Sequence, residues 1–164
     1  MVKTHKGFTL IELLIVIVII SIVMSVSFVG FQTMYKNYST ESKLSGILQN
    51  LLFLFIDARR TAIIEDDVVC IRYANGEFSY YIDNNLDGTP DSNVISSFKT
   101  DENIKVYLNE EEKSSFLIYT YDSLFFKNNA GVFESSYSNT EIKILLDSRE
   151  KILKIENSLP KVLE

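Results

Sequence analysis

One acidic side chain, Glu12, lies inside an otherwise apolar N-terminal stretch, and it is the residue of this chain best placed to do chemistry. Between Leu13 and Phe31 the only polar side chains are those of three serines, Ser21, Ser25 and Ser27. A run of about 20 apolar residues is long enough to cross a bilayer as a helix. A carboxylate inside a membrane span is costly, so it usually has a function and a partner. We therefore expect Glu12 to pair with a cation; the alternative is an acid that snorkels to the interface.

The segment before the apolar run is short and basic. It contains Lys3, His5 and Lys6 and no acid. Positive charge next to a span keeps that end in the cytoplasm, which predicts that the chain after about Phe31 lies outside. Two alternatives remain open at this point: a plain signal anchor with a coincidental acid, and a secretory signal peptide cut among the small residues at 21–30.

The residues around Glu12 read Gly7-Phe8-Thr9-Leu10-Ile11-Glu12. This segment resembles the processing site of type IV prepilins and type II secretion pseudopilins. The resemblance implies that residues 1–7 are a leader peptide, cleaved after Gly7 by a prepilin peptidase on the cytoplasmic face, and that Phe8 is then N-methylated. Glycine suits the scissile position because it has no side chain to obstruct a protease.

The same resemblance implies an assembly rule for two of these residues. Stacked subunits would place Glu12 of one chain against the freed amine of Phe8 on the next, where an unpaired charge is expensive and a paired one sets the register. The implied partners are the prepilin peptidase and N-methyltransferase, other pilin or pseudopilin subunits, an inner-membrane assembly platform and the cytoplasmic membrane.

The hydrophobic pattern predicts one long helix followed by a β head. Residues 8–31 form the transmembrane and assembly part of the helix, and residues 32–66 are its amphipathic half, with apolar positions three and four residues apart. Residues 67–164 form the extracytoplasmic head. Short β-branched and aromatic runs there predict antiparallel strands near 68–73, 77–83, 94–98, 104–108, 116–121, 124–127, 141–147 and 151–156. The fold class is thus α+β, with a long transmembrane helix packed on a small antiparallel sheet; residues 158–164 are expected to fray.

The head is similar to that of the minor pseudopilins called GspH/FimT. The shared parts are an Ala58-Arg59-Arg60-Thr61-Ala62 segment late in the helix, a strand hairpin around Asn75-Gly76, an Asp/Asn/Gly-rich turn at residues 83–88 and a C-terminal β pair.

That acidic turn is the one candidate metal site. Asp83, Asn85, Asp87, the carbonyl of Thr89 and Asp91 fit alternate ligand positions of a calcium loop, with Gly88 allowing the bend. The twelfth position, which normally supplies a bidentate Glu, is Val94. The alternative is a polar loop without metal, since Asp, Asn and Gly favour turns for their backbone geometry.

Composition excludes several classes of chemistry. The chain of 164 residues has one cysteine, Cys70, and one histidine, His5, which leaves with the leader. Hence we expect no intrachain disulfide, no Ser-His-Asp triad and no enzyme. The net charge of −6 argues against DNA as a partner, although Arg149, Lys151 and Lys154 form a basic group near the C-terminus.

The predicted function is a pilin-like or pseudopilin subunit of a type II secretion-like filament, assembled through its N-terminal helix. The first alternative is a minor pilin of a type IV or competence pilus that serves adhesion, motility or DNA uptake. The second is a single-pass anchored adhesin or receptor that never polymerises. Glu12 separates the last class from the others, because only a polymerising subunit needs it.

Overall fold

The computed structural model describes residues 9–91, 93–122, 124–129, 132–134, 140–156 and 159–163. The predicted leader, residues 1–7, and Phe8 lie outside these described residues. The chain divides into two compact units, residues 1–39 and residues 40–164, and each is described by itself below.

A single helix, α1, runs from Leu10 to Glu65. No proline occurs before Pro90, so nothing interrupts the backbone hydrogen bonds, and the helix continues through Gly30. It ends at Glu65 because Asp66 adopts the left-handed conformation, with φ 58°.

In the first unit, the described part of α1 is apolar and exposed, with every side chain from Leu10 to Tyr38 open to the surroundings. The few hydroxyls are satisfied within the helix. Ser21, Ser25 and Ser27 each donate to the carbonyl four residues earlier at 2.8 Å. Such internal bonds let an apolar helix carry polar residues without leaving an unpaired donor in a lipid environment.

In the second unit, α1 is amphipathic and buries one face in the head. The buried positions recur every three or four residues: Thr40, Leu44, Leu48, Leu51, Leu54, Phe55, Ala58 and Ala62. They join a core made by both sheets of the head. The prediction of a helix whose second half packs an apolar stripe on a β head is therefore confirmed.

The described part of the head contains eleven strands. Their bounds are β1 Val69–Ala74, β2 Glu77–Ile82, β3 Ser96–Lys99, β4 Lys105–Leu108, β5 Glu111–Glu112, β6 Ser115–Tyr121, β7 Leu124–Asn129, β8 Val132–Glu134, β9 Thr140–Leu146, β10 Arg149–Glu156 and β11 Leu159–Leu163. The α+β class and the antiparallel pairing agree with the sequence prediction.

The strands form two sheets, which the sequence pattern alone does not reveal. One has the order β3-β2-β1-β6-β7-β8 and the other the order β11-β10-β9-β4-β5. In β9 the core-facing residues alternate with outward-facing ones, as expected for a sheet with one covered face. In β1, Val69, Ile71 and Tyr73 face the main core, while Cys70 is buried on the other face of the sheet. The predicted hairpin turn at Asn75-Gly76 is confirmed, since both residues have positive φ and Ala74 faces Glu77 across it.

The expectation that the C-terminus frays is wrong for residues 159–163. They form β11, which pairs with β10 from Leu159 opposite Glu156 to Leu163 opposite Ile152. Val162 packs against the main core, so the strand gains apolar contacts as well as hydrogen bonds. Pro160 is tolerated because β11 is an edge strand of its sheet.

A glycine inside the second half of α1 gives a direct stability test. Gly46 is helical, exposed and has nothing within 4 Å of where a Cβ would lie. We expect Gly46→Ala to raise the free energy of unfolding by about 0.5–1 kcal/mol, because alanine loses less backbone entropy in a helix. Urea unfolding of the full chain in detergent would measure this. A decrease in stability would mean that position 46 has a contact beyond those described.

Candidate functional site

Glu12 lies in the first turn of α1 and closes a capping box with Thr9. The backbone N–H of Thr9 donates to Glu12 Oε2 at 2.9 Å, and the Thr9 hydroxyl donates to the same oxygen at 2.8 Å. In return the N–H of Glu12 donates to Thr9 Oγ1 at 3.3 Å. A helix start satisfied reciprocally in this way is a recognised N-terminal motif.

This capping role was missed by the sequence reasoning, although the Thr9-Leu10-Ile11-Glu12 spacing is a visible signal for it. It gives Glu12 a partner within its own chain. An assembly role would then require Glu12 to share its carboxylate between Thr9 and an incoming cation. Both carboxylate oxygens can accept more than one hydrogen bond, so the two roles are compatible.

The surface around Glu12 suits a membrane. Among the described residues, α1 is the one helix that is long and apolar enough to cross a bilayer, and its most apolar window is entirely unburied. Exposed apolar surface of this extent needs a covering of lipid or of other apolar helices. The N-terminal helix is thus consistent with a membrane anchor.

The predicted calcium loop is folded around Asp83, whose side chain is fully buried. Its carboxylate accepts the backbone N–H of Asp87 at 3.2 Å and that of Gly88 at 2.9 Å. The hydroxyl of Tyr119 also donates to Asp83, at 3.2 Å. A buried carboxylate is tolerated when donors surround it in this way, and here it holds the loop closed over the sheet.

The other candidate ligands are also engaged within the loop. Asp87 accepts both the N–H and the hydroxyl of Thr89, and these hydrogen bonds hold the pKa of Asp87 below its usual value. Asn85 accepts the N–H of Asp87 at 3.1 Å. Asp91 accepts the N–H of Asn84 at 2.6 Å, so each of these side chains stabilises a turn of the loop.

The donor set therefore fits a self-contained loop better than a metal cage. In the described part of the chain no group of three or more acidic, histidine or cysteine side chains is placed to hold a metal ion. A calcium ion would have to displace backbone donors from Asp83. Calcium binding remains a prediction, and calorimetric titration of the full chain with calcium tests it; the hydrogen bonds favour the metal-free alternative.

Gly88 lets the loop lie close against the sheet. Its φ is 80°, and a Cβ on it would lie 2.8 Å from Leu117 Cδ1. The hydroxyl of Tyr81 donates to the Gly88 carbonyl at 2.7 Å. Beneath the loop, Tyr81, Tyr119, Cys70 and Phe126 form a second small core on the outer face of the sheet.

The thiol in this second core should be inert. Burial raises the pKa of Cys70 to about 12, and burial likewise raises the pKa values of the neighbouring Tyr81 and Tyr119 phenols. Because the thiolate is the reactive form, we expect maleimide to label Cys70 in the folded chain at least about 100-fold more slowly than in urea. Labelling followed by mass spectrometry checks this. Equal rates in both conditions would show that the loop opens freely.

The C-terminal basic group is not an open cationic surface. Arg149 Nη1 lies 2.9 Å from Glu41 Oε2, and Lys151 Nζ lies 2.7 Å from Glu41 Oε1. The two cations thus tie β10 to the buried half of α1, and their ion pairs lower the pKa of Glu41. Of the three basic residues, only Lys154 makes no ion pair within the described residues.

Comparison with known proteins found a matching sequence motif and a similar fold. The family described as the prokaryotic N-terminal methylation motif matches residues 2–28. No curated protein matches the chain significantly. Among solved structures, the chain is similar to the type IV minor pilin FimU of Pseudomonas aeruginosa strain PAO1, with a TM-score of 0.57 and 8% identity over 77% of this chain and 92% of that one.

At that identity the likeness establishes the fold and nothing finer. The motif match covers the segment that contains Gly7, Phe8 and Glu12, and the structural match covers 77% of the chain. The chain therefore carries a prepilin-type N-terminal methylation motif, and its long helix and antiparallel sheets have the pilin fold.

Proposed function

We propose that this chain is a pilin-type filament subunit, cleaved after Gly7 and assembled through α1. The observation that carries the proposal is the prepilin motif at residues 2–28, together with an apolar, unburied helical segment and a pilin-like head. A fold of this kind and a processing motif of this kind both belong to structural subunits, which supports a role other than catalysis.

The proposed location is the cytoplasmic membrane, with the head outside. Lys3 and Lys6 precede the span and favour a cytoplasmic N-terminus. At the other end of the apolar run, Phe31, Tyr35 and Tyr38 are exposed by 67%, 66% and 74%. Exposed aromatic side chains at this position suit the outer membrane–water interface. From this membrane pool the subunit would be drawn into a filament.

Assembly would replace lipid around α1 by the helices of other subunits. In that dry surrounding, the carboxylate of Glu12 would bind the methylated amine of Phe8 from a neighbouring subunit. The local bonds from Thr9 hold the carboxylate at the start of the helix. The prepilin peptidase, which frees the amine, and an inner-membrane assembly platform are the other proposed partners.

Two kinds of filament fit this subunit. The N-terminal motif is shared by secretion pseudopilins and pilins, so it supports a type II secretion-like filament and a type IV or competence pilus equally. The likeness to the minor pilin FimU is the specific observation that favours a minor pilin. A non-polymerising anchored adhesin or receptor is the competing class, and it would not depend on the charge of Glu12.

Mass spectrometry of the native product tests the processing step. We expect the purified chain to begin at Phe8 with a methylated amine, because cleavage after Gly7 leaves that residue at the terminus. In Gly7→Val the β-branched side chain should obstruct the peptidase and leave residues 1–7 attached. A wild-type product that starts at Met1, or at a cut within residues 21–30, would overturn the proposal.

A further inference from the structure

The second unit has an apolar surface that the core does not use. On α1, beside the buried stripe, Ile56, Ile63 and Ile64 are exposed by 46%, 51% and 63%. With neighbouring residues of α1 and β11 they line a groove of about 390 Å³. This α1–β11 groove consists of Ile56, Arg59, Arg60, Ile63, Ile64, Leu159 and Pro160. A contiguous apolar groove with a charged rim is the form that protein-binding sites take.

Two arginines, Arg59 and Arg60, line the groove. Within the described part of the chain neither Arg59 nor Arg60 makes an ion pair. The Nε of Arg59 is also buried and has no hydrogen-bond partner. Buried donors without acceptors are rare in native proteins, so an acceptor supplied by another molecule is the natural explanation.

A partner that binds this groove would therefore need carboxylates beside apolar groups. Lipid is a poor candidate, because the groove lies in the unit of residues 40–164, beyond the apolar run that ends near Phe31. A carboxylate, in contrast, matches the fork of an arginine and can bind it with two hydrogen bonds.

The chain itself carries such a surface. Where α1 ends and β6 turns into β7, four carboxylates form an acidic corner: Glu65, Asp66, Asp67 and Asp122. None of the four makes an ion pair among the residues that the structure describes. Asp66 and Asp122 raise the pKa of Tyr121, which shows the negative field at this corner.

We propose that the α1–β11 groove of one subunit binds the acidic corner of a second copy of the chain. The inference rests on the proposed filament function and adds a contact between heads to it. The two surfaces differ, so the contact is heterologous and leaves a free groove and a free corner at its ends. Such contacts extend into rings or open filaments and do not stop at dimers.

Site-specific cross-linking of two tagged copies of the full chain tests the contact in native membranes. One copy carries Ile56→Cys in the groove, the other carries Glu65→Cys in the acidic corner, and a short bismaleimide joins them. Buried Cys70 does not contribute. The matched control pairs Ile56→Cys with Lys99→Cys, an exposed residue of β3 on the other sheet. We expect at least fivefold more mixed product from the groove–corner pair.

Charge reversal then tests the arginines. Arg60→Glu in the Ile56→Cys copy should reduce the mixed product at least fivefold, because it places like charges together. Lys99→Glu makes the same change of charge elsewhere and should leave the yield unchanged. Unfolding midpoints within about 2 °C of the parent would show that both variants remain folded.

Several results would overturn the proposed contact. They are a mixed yield equal to the Lys99→Cys control, no effect of Arg60→Glu, cross-linking of Ile56→Cys mainly to itself, or cross-linking mainly to a different protein. Failure of the filament function looks different: the wild-type chain itself would then stay in the membrane and would not enter surface assemblies. Loss of the cross-link with normal incorporation would reject the head contact alone.

Discussion

Glu12→Gln is expected to abolish incorporation of the subunit into filaments while leaving the start of α1 intact. Glutamine can still accept the hydrogen bonds from Thr9 that glutamate accepts in the capping box. It cannot neutralise the amine of Phe8 on a neighbouring subunit. The variant thus separates the capping role of Glu12 that the structure shows from its proposed role in pairing with a neighbouring subunit.

The expected size of the effect follows from the cost of an unpaired charge in a dry helix bundle. Breaking a buried ion pair by removing one partner costs about 3–5 kcal/mol. Each 1.4 kcal/mol is about a factor of ten in an association constant, so we expect incorporation to fall by roughly 100-fold or more. Glu12→Ala removes the cap as well and should incorporate no better.

Quantitative immunoblotting of sheared or purified filaments against the membrane pool measures this. Glu102→Gln is a matched control, since it makes the same chemical change at an exposed glutamate of the second unit. Its incorporation should stay close to that of the wild type. If Glu12→Gln incorporated normally and only Glu12→Ala failed, helix capping and not charge pairing would be the function of Glu12.

Asp83→Ala should cause the largest loss of stability of any single change in the acidic loop. The buried carboxylate accepts from Asp87, Gly88 and Tyr119, and its removal leaves these donors without a partner. Unsatisfied buried donors cost about 1–3 kcal/mol each. Because part of the loop can move into water, we expect a loss of about 3–5 kcal/mol in the free energy of unfolding, near the upper end for single substitutions.

The measurement is urea unfolding of the full chain in detergent, followed by the labelling of Cys70. This thiol lies in the small core under the loop, so it reports opening of the loop as well as global unfolding. Asp87→Ala is the control, since Asp87 is exposed and bonds only to its immediate loop neighbours; it should cost less than about 1 kcal/mol. Equal effects of the two variants would contradict the proposed anchoring role of Asp83.

The same experiment bears on calcium. If Asp83 anchors the loop through backbone donors, its replacement should destabilise the head equally with calcium and with a chelator. A stability loss that appears only in the presence of calcium would instead show that this loop binds calcium.

Local sequence patterns were enough to predict the features that depend on residues close to one another in the chain. The apolar run predicts a span because hydrocarbon thickness sets its length, and the three- and four-residue spacing after residue 39 predicts which face of α1 is buried. The alternation of Ile142, Ile144 and Leu146 likewise predicts strand β9. The Gly7–Glu12 segment points to processing because the residues that carry the motif are adjacent in the chain.

Only the tertiary structure decided how distant residues meet. Asp83 and Tyr119 are 36 residues apart, and Glu41 and Arg149 are 108 apart, so no periodicity relates them. Sheet pairing brings each couple together, so that the buried carboxylate of Asp83 accepts a hydrogen bond from a phenol and Arg149 forms an ion pair with α1. Pairing also selects two sheets from strands that look alike in sequence, because strand alternation specifies a face but not a neighbour.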